Sequence, residues 1–293
     1  MSGACPSGAC PIGCKYCHVS EVSYRREAWQ EKFLIGVNKT ATVFNPPINL
    51  EDKVALQTFY DFPLELFTAD IVGFNAITDP FWPKYRNELS FFLERVPNLA
   101  KSVVCVTKFP VTRRQMLFLS NIPNFLLNVS ITGLDMLEKT STENRLKTLY
   151  LAKEYGVKAF PVIHPYIHGM TDLSFLGKLK RMGYKEVDIK GFRYDPAMSS
   201  FLPEEVNSLY KNSFGREYFP FEKEIKSLLE DFIEDFKITP LRQWVRNNTP
   251  NSPFLSLPQA IKNINKLLVY ANITSSSTKD EVISALIKRR IEK

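Results

Sequence analysis

Cys10-Pro11-Ile12-Gly13-Cys14-Lys15-Tyr16-Cys17 is a C-x3-C-x2-C run with an aromatic residue immediately before its last cysteine. Three thiolates on one short loop can hold three irons of a [4Fe–4S] cube. The fourth iron then has no protein ligand within the motif and stays open to a small molecule. Gly13 lets the loop turn where a Cβ would obstruct it, and Pro11 restricts the approach. Two other metal chemistries have to be weighed. A structural zinc site usually pairs C-x2-C units and closes with four ligands; His18 lies beside Cys17, but adjacency makes a closed tetrahedron awkward. A simple electron-transfer cluster wants a fourth cysteine, for which Cys5 and the distant Cys105 are the remaining thiols.

Length and composition set outer bounds. A chain of 293 residues with 44% hydrophobic and 24% charged content is that of an ordinary globular protein. No run of eighteen or more apolar residues predicts a membrane span, and the N-terminus lacks a basic-then-apolar signal segment. Five cysteines, three of them in one loop, suit a reducing compartment better than a disulfide scaffold, so a cytoplasmic location is expected. The formal charge of +7 permits an anionic partner such as nucleic acid or an acidic peptide. With no long Lys/Arg tract, a solvated surface rich in lysine explains the charge equally well.

Beyond the cysteine loop, strand-like and helix-like segments alternate. Apolar or β-branched runs at 64–69, 102–107, 125–131, 157–163 and 186–189, with a weaker one at 41–44, predict strands. Helical spacing appears at 85–95, 112–119, 143–155 and 173–182. In the third of these, Thr140 and Glu143 read as a capping box, Leu146, Leu149 and Tyr150 as one apolar face, and Gly156 as the stop. Alternation of this kind predicts parallel strands with right-handed crossovers. The expected fold class is α/β, a partial (β/α)6 TIM-like barrel, whose functional residues gather at the C-terminal ends of the strands. From about Pro203 the pattern reads as helices alone, at 221–236, 258–270 and 279–290. The expected organisation is a core over 1–200 with the cluster-binding loop at its start, followed by a mainly helical C-terminal extension over 201–293. Only nine residues, rich in Gly, Ser and Pro, precede Cys10, so a first strand before the loop is expected to be very short or missing.

The cysteine spacing resembles that of radical S-adenosylmethionine (SAM) enzymes without a mismatch. Further segments resemble the spore photoproduct lyase-like branch of that superfamily over roughly residues 10–195. They are Asp70-Ile71-Val72-Gly73 after a strand, Thr78-Asp79-Pro80-Phe81-Trp82-Pro83, Thr107-Lys108-Phe109 at a strand end, Val129-Ser130-Ile131, and Pro165-Tyr166-Ile167-His168. The order of these patches is more specific than any one of them. The resemblance implies a partial barrel, a single [4Fe–4S] cluster on Cys10, Cys14 and Cys17, and SAM chelating the open iron through its amino and carboxylate groups. It implies that an electron from an external donor cleaves the sulfonium carbon–sulfur bond, and that the resulting 5′-deoxyadenosyl radical takes a hydrogen atom from the substrate. The protein supplies position and exclusion of water. No downstream cysteine pairs exist, so neither an auxiliary cluster nor a SPASM-type domain is expected.

Residue by residue, the resemblance implies that Lys108 pairs with the SAM carboxylate, where an ammonium suits a point-charge contact. It implies that Ser130 bonds a ribose hydroxyl, that Thr68 and Asp70 meet the SAM amino group, and that Tyr16 lies along the adenine; by their place around Pro165-Tyr166, His164 and His168 are candidates for SAM's adenine side or the substrate. A strand serine is also read as a small packing residue. Candidates for substrate contact, by their place after strands, are Asp79, Trp82, Tyr166, His168, Arg193 and Tyr194. Asp79 before Pro80 also reads as the start of a turn, Trp82 as core, and the histidines as hydrogen-bonded structural groups. Two departures bear on the reaction. Photoproduct lyases carry a hydrogen-donating cysteine where this chain has Phe67 and a tyrosine where it has His18. Cys105, within Val103-Val104-Cys105-Val106, reads as a buried strand residue. Lesion repair on nucleic acid is thereby disfavoured. The expectation is a lyase-type, single-cluster maturase of a ribosomally made precursor peptide (a RiPP), with a splicease that excises a tyramine unit as the nearest analogy. That analogy is at the level of fold. Such enzymes commonly use a small accessory protein that binds the precursor's leader. A DNA photoproduct lyase and a non-catalytic iron–sulfur or zinc protein are the alternatives.

Overall fold

The structure is a computed structural model describing residues 2–7, 12–17, 47–49, 71–74, 79–214, 216–232, 237–250 and 257–270. The chain divides into two compact units. One comprises Met1–Ala9, Tyr24–Cys105 and Thr249–Lys293; the other comprises Cys10–Ser23 and Val106–Asn248.

In the first unit, β1 (Ser2–Ser7), β2 (Pro47–Asn49), β3 (Ile71–Phe74) and β4 (Ser102–Thr107, whose last two residues belong to the second unit) pair in the order β2-β1-β3-β4, all parallel. Helix α1 (Arg86–Arg95) presents Leu89, Phe92 and Leu93 as its buried stripe, the i, i+3, i+4 spacing of one helical face. Phe92 meets Phe74 of β3 with ring centroids 4.8 Å apart. The expectation of a first strand that is very short or missing is corrected: β1 spans six residues. The runs at 41–44 and 64–69 lie outside the described residues.

The second unit carries β5 (Phe125–Ser130), β6 (Ala159–Ile163) and β7 (Glu186–Ile189), parallel and in that order. The connections hold α3 (Thr142–Glu154) and α4 (Leu176–Arg181), and α2 (Arg113–Ser120) leads into β5. Every residue of β5 is buried, the pattern of a strand covered on both faces. Helix α2, expected at 112–119, opens on a cap that the sequence reading did not name: the Thr112 hydroxyl accepts from Gln115 N–H while the Gln115 side chain reaches back to the Thr112 N–H, a reciprocal cap. Helix α3 differs. Its N-cap is Ser141, whose hydroxyl accepts from Asn144 N–H. Thr140 instead offers its carbonyl and hydroxyl oxygens to Arg145 Nη2, at 2.6 and 3.0 Å. Tyr150 is exposed rather than part of the apolar face, which is completed by Ala152.

The expectation of helices alone beyond residue 200 is corrected by two short strands. After β8 (Phe192–Arg193) and α5 (Glu204–Tyr210), β9 (Glu217–Tyr218) pairs antiparallel with β8. After α6 (Glu222–Phe232), β10 (Lys237–Ile238) extends the parallel sheet by pairing with β7. These dipeptides are too short to carry a period of two, so alternation does not reveal them. Helix α7 (Leu241–Asn247) stacks Trp244 on Phe160 of β6 at 4.8 Å. Helix α8 (Leu257–Tyr270) belongs to the first unit. The segment 279–290 lies outside the described residues. Among the described residues no helix is long and apolar enough to cross a membrane.

Candidate functional site

The cysteine loop is shaped by a segment far along the chain. Lys15 N–H donates to Leu137 O at 2.9 Å and Lys139 N–H donates to Ile12 O at 3.3 Å, so residues 137–139 form a strap along the loop. Within the loop, Cys17 N–H donates to Cys14 O at 2.9 Å, the closure of a tight turn. Gly13 has φ +54°, and a Cβ there would meet the Lys139 side chain at 3.2 Å. The positive φ favours glycine, and a Cβ would additionally push the flexible end of Lys139 aside by a few tenths of an ångström. Ile12, Cys14 and Tyr16 are buried in a cluster with Leu134, Leu137, Ile167, Phe192 and Tyr210, and Cys17 packs on it half-buried. Neither Cys14 nor Cys17 is in a disulfide. Cys10 lies outside the described residues. Among the described residues no three His, Cys, Asp or Glu side chains are grouped to hold a metal ion.

Lys108 is presented by a turn that Thr107 fixes. The Thr107 hydroxyl accepts from Phe109 N–H at 2.9 Å and donates to Phe109 O at 3.2 Å, leaving Lys108 at the apex, just past the C-terminal end of β4. Its ammonium donates to the Tyr16 hydroxyl, to Glu138 Oε1 at 2.9 Å and to His164 O at 3.3 Å, and it stands 4.5 Å from the Tyr16 ring centroid. Ser130, the last residue of β5, donates its hydroxyl to the same His164 carbonyl at 3.2 Å. The structure thus brings Cys14, Cys17, Tyr16, Lys108, Ser130 and His164 together at the C-terminal ends of the strands.

Two residues central to this site are absent from the sequence reading. Glu138, fully buried, lies between Lys108 and Arg145, which is itself fully buried and pairs with the other carboxylate oxygen. Arg145 also donates to Thr132 Oγ1 at 3.0 Å. The Cys14 thiol lies 3.9 Å from Glu138 Oε1. Burial pushes the Glu138 carboxyl up, toward about 9, and the Cys14 contact lowers it. Lys108 and Arg145, each on one carboxylate oxygen, favour the ionised form against that burial.

The other predicted residues fall into three groups. Thr68 and Asp70 lie outside the described residues. Asp79 and Trp82 belong to the first unit. Asp79 is buried and its carboxylate accepts from Phe81 N–H at 3.0 Å, a local turn. Trp82 packs edge-on against Tyr85 at 5.2 Å. Tyr166, His168, Arg193 and Tyr194 belong to the second unit. Tyr166 stacks near Phe219 at 4.9 Å and its hydroxyl lies 3.4 Å from His168 Nδ1. His168 rests against Phe221 at 4.9 Å and its N–H donates to the Tyr210 hydroxyl at 2.9 Å. Tyr194 is buried with its hydroxyl donated to Asn207 Oδ1 at 2.6 Å. Arg193 pairs across β8–β9 with Glu217 at 3.8 Å.

Compared with models of known protein families and with curated proteins, the chain matches none. Among solved structures it is similar to SuiB of Streptococcus suis. The structure of SuiB bound to S-adenosylmethionine aligns at TM-score 0.46 and 11% identity, over 86% of this chain and 53% of SuiB. SuiB bound to its precursor peptide SuiA aligns at TM-score 0.46 and 10% identity, over 83% and 49%. The chain therefore spans about half the length of these neighbours.

Proposed function

We propose that this chain is a radical SAM enzyme that holds one [4Fe–4S] cluster on Cys10, Cys14 and Cys17 and modifies a ribosomally made peptide. One observation carries the reading: Cys14 and Cys17 lie on one tight turn beside the Lys108–Tyr16 pair, at the C-terminal ends of parallel strands. The donor set fits the group. Two cysteines on a loop shaped by Gly13 suit iron rather than closed tetrahedral zinc, for which four ligands would have to converge. With the cluster bound, SAM and one electron from an external donor supply the carbon radical that removes a hydrogen atom from substrate.

The chain's own residues do the rest. Lys108 offers an ammonium to the SAM carboxylate. Ser130 and the His164 carbonyl provide polar groups for the ribose, and Tyr16 covers the adenine side. Thr68 and Asp70 serve the SAM amino group. Tyr166, His168 and the aromatic residues around them form the wall against which a peptide would lie. The finer reading is a splicease-like excision from the peptide backbone, supported by Phe67 and His18 standing where a repair lyase needs its hydrogen-returning cysteine and tyrosine. A leader-binding accessory protein is the expected partner.

Anaerobic reconstitution tests the reading. The expected result is a brown protein that cleaves SAM to 5′-deoxyadenosine after reduction, and a Cys14→Ala variant that does not. Mass analysis of candidate precursor peptides after turnover should show a defined mass loss. A protein that loads four-ligand zinc and never cleaves SAM refutes the proposal. DNA affinity that falls steeply with salt, with no peptide product, moves it to lesion repair.

A further inference from the structure

We infer that Glu138 is a positioning residue for SAM: it holds the Lys108 ammonium beside the cysteine loop, ready for the SAM carboxylate. The inference rests on the proposed function and goes beyond it, because it concerns a carboxylate that would not itself touch the cofactor's iron.

Four observations converge on Glu138. Its backbone neighbours on both sides, Leu137 and Lys139, are hydrogen-bonded to the loop residues Lys15 and Ile12, so Glu138 moves with the loop. One carboxylate oxygen takes the Lys108 ammonium at 2.9 Å and lies 3.9 Å from the Cys14 thiol. The other oxygen is held by Arg145, which Thr132 and Thr140 fix in turn. Both Glu138 and Arg145 have fully buried side chains, while Lys108 keeps 17% of its side chain exposed. Arg145 thus anchors the carboxylate, the carboxylate aims the lysine, and only the lysine is left partly open to a ligand. A lysine on four rotatable bonds loses much side-chain freedom when it binds. A carboxylate that orders it beforehand lowers that entropic cost for SAM.

A carboxylate contact could also act in the opposite sense, by competing with SAM for Lys108. The design of the site argues otherwise. Glu138 keeps the Arg145 charge on its second oxygen, so it does not need Lys108 for neutralisation. Lys108 also has the Tyr16 hydroxyl and the His164 carbonyl as partners, which keep it in place when its carboxylate partner changes.

The test uses full-length reconstituted protein and two readouts. Iron and sulfide per chain, with the visible spectrum, report the cluster. Equilibrium dialysis with labelled SAM, and the change SAM makes to the resonance of the reduced cluster, report binding. Glu138→Gln should keep its cluster and bind SAM about tenfold more weakly. Lys108→Ala/Glu138→Gln should bind no more weakly than Lys108→Ala alone, because Glu138 acts through Lys108. Unchanged or tighter binding by Glu138→Gln overturns the inference, as does a double variant that loses the product of the two single effects. Should Glu138→Gln not fold, Glu138→Gln/Arg145→Met removes the stranded guanidinium as well, and wild-type affinity there is equally fatal. Wild-type protein that holds no cluster or binds no SAM defeats the proposed function instead, so the two failures are distinguishable.

Discussion

Two ion pairs in the same unit look alike by distance and differ in everything else. Lys178 and Glu143 lie 2.8 Å apart with 52% and 56% of their side chains exposed. Lys108 and Glu138 lie 2.9 Å apart with 17% and 0% exposed. Water screens the first pair, and two long side chains must be ordered to make it, so such contacts contribute little. The second joins Arg145 in a place where an unpartnered charge is costly. A buried charge network is weak evidence for stability in itself. Its use is to fix one arrangement of side chains, here at the place where the cysteines, Tyr16 and His164 converge.

The sharpest way to break the comparison is Arg145→Ala. It strands Glu138 without its second cation and should destabilise the fold by about 3–5 kcal/mol, read as a lower urea midpoint. Lys108→Ala leaves the Glu138–Arg145 pair intact. It should cost about 1.5–3 kcal/mol for the lost charge-assisted bond and weaken SAM binding more than Glu138→Gln does, to a level still measurable. A cost as large as that of Arg145→Ala would show that Lys108 is structural rather than poised for a ligand. Asn128, fully buried in β5, has neither amide atom hydrogen-bonded. Asn128→Leu keeps roughly its volume and removes that penalty, so the melting temperature should rise, by the equivalent of about 1 kcal/mol or more. A fall instead would mean that a buried water satisfies the amide.

Tyr184 extends the contrast to pH. Burial raises its hydroxyl above the usual value, and it donates to Leu149 O at 2.8 Å. The folded state then binds the proton more tightly than the unfolded chain. Its contribution is therefore complete below the ordinary tyrosine value near 10 and lost as pH rises beyond it. Tyrosinate absorbance should appear together with loss of circular dichroism, and Tyr184→Phe should blunt that alkaline step. The smallest effect is expected at the surface. Glu143→Gln and Glu154→Gln, which break the Lys178 and Arg113 pairs, should leave the urea midpoint within error at moderate salt.

How much of this could be read from the sequence depends on whether the signal was local. Cys14, Cys17 and Lys108 announce themselves through spacing and a strand-end position. The α/β class and the parallel strands follow from alternating periods of apolar residues. Glu138 and Arg145 are another matter. A glutamate before a predicted helix reads as a solvated cap, and its inward turn is set by backbone bonds to a loop more than a hundred residues earlier. One clue was present: Arg145 sits at i−4 and i−7 from Leu149 and Ala152, on the buried stripe of α3. A charge on an apolar stripe calls for a buried partner, and the nearest unclaimed carboxylate upstream was Glu138. Thr140 reads as a cap because the capping box is a pattern of residue types, and Ser141 serves the same chemistry one step later. Arg193 and Tyr194 follow a strand as site residues do, yet Glu217 and Asn207 engage them, contacts made by residues whose proximity no spacing shows.

The strap over the cysteine loop also bears on how the protein is made. On the ribosome the thiols emerge long before residues 137–139, and domains fold as their segments become available. Until the strap arrives the loop lacks its backbone bonds to Leu137 and Lys139. A chain truncated before that segment would keep Cys14 and Cys17 and still lack the backbone bonds that shape the turn joining them.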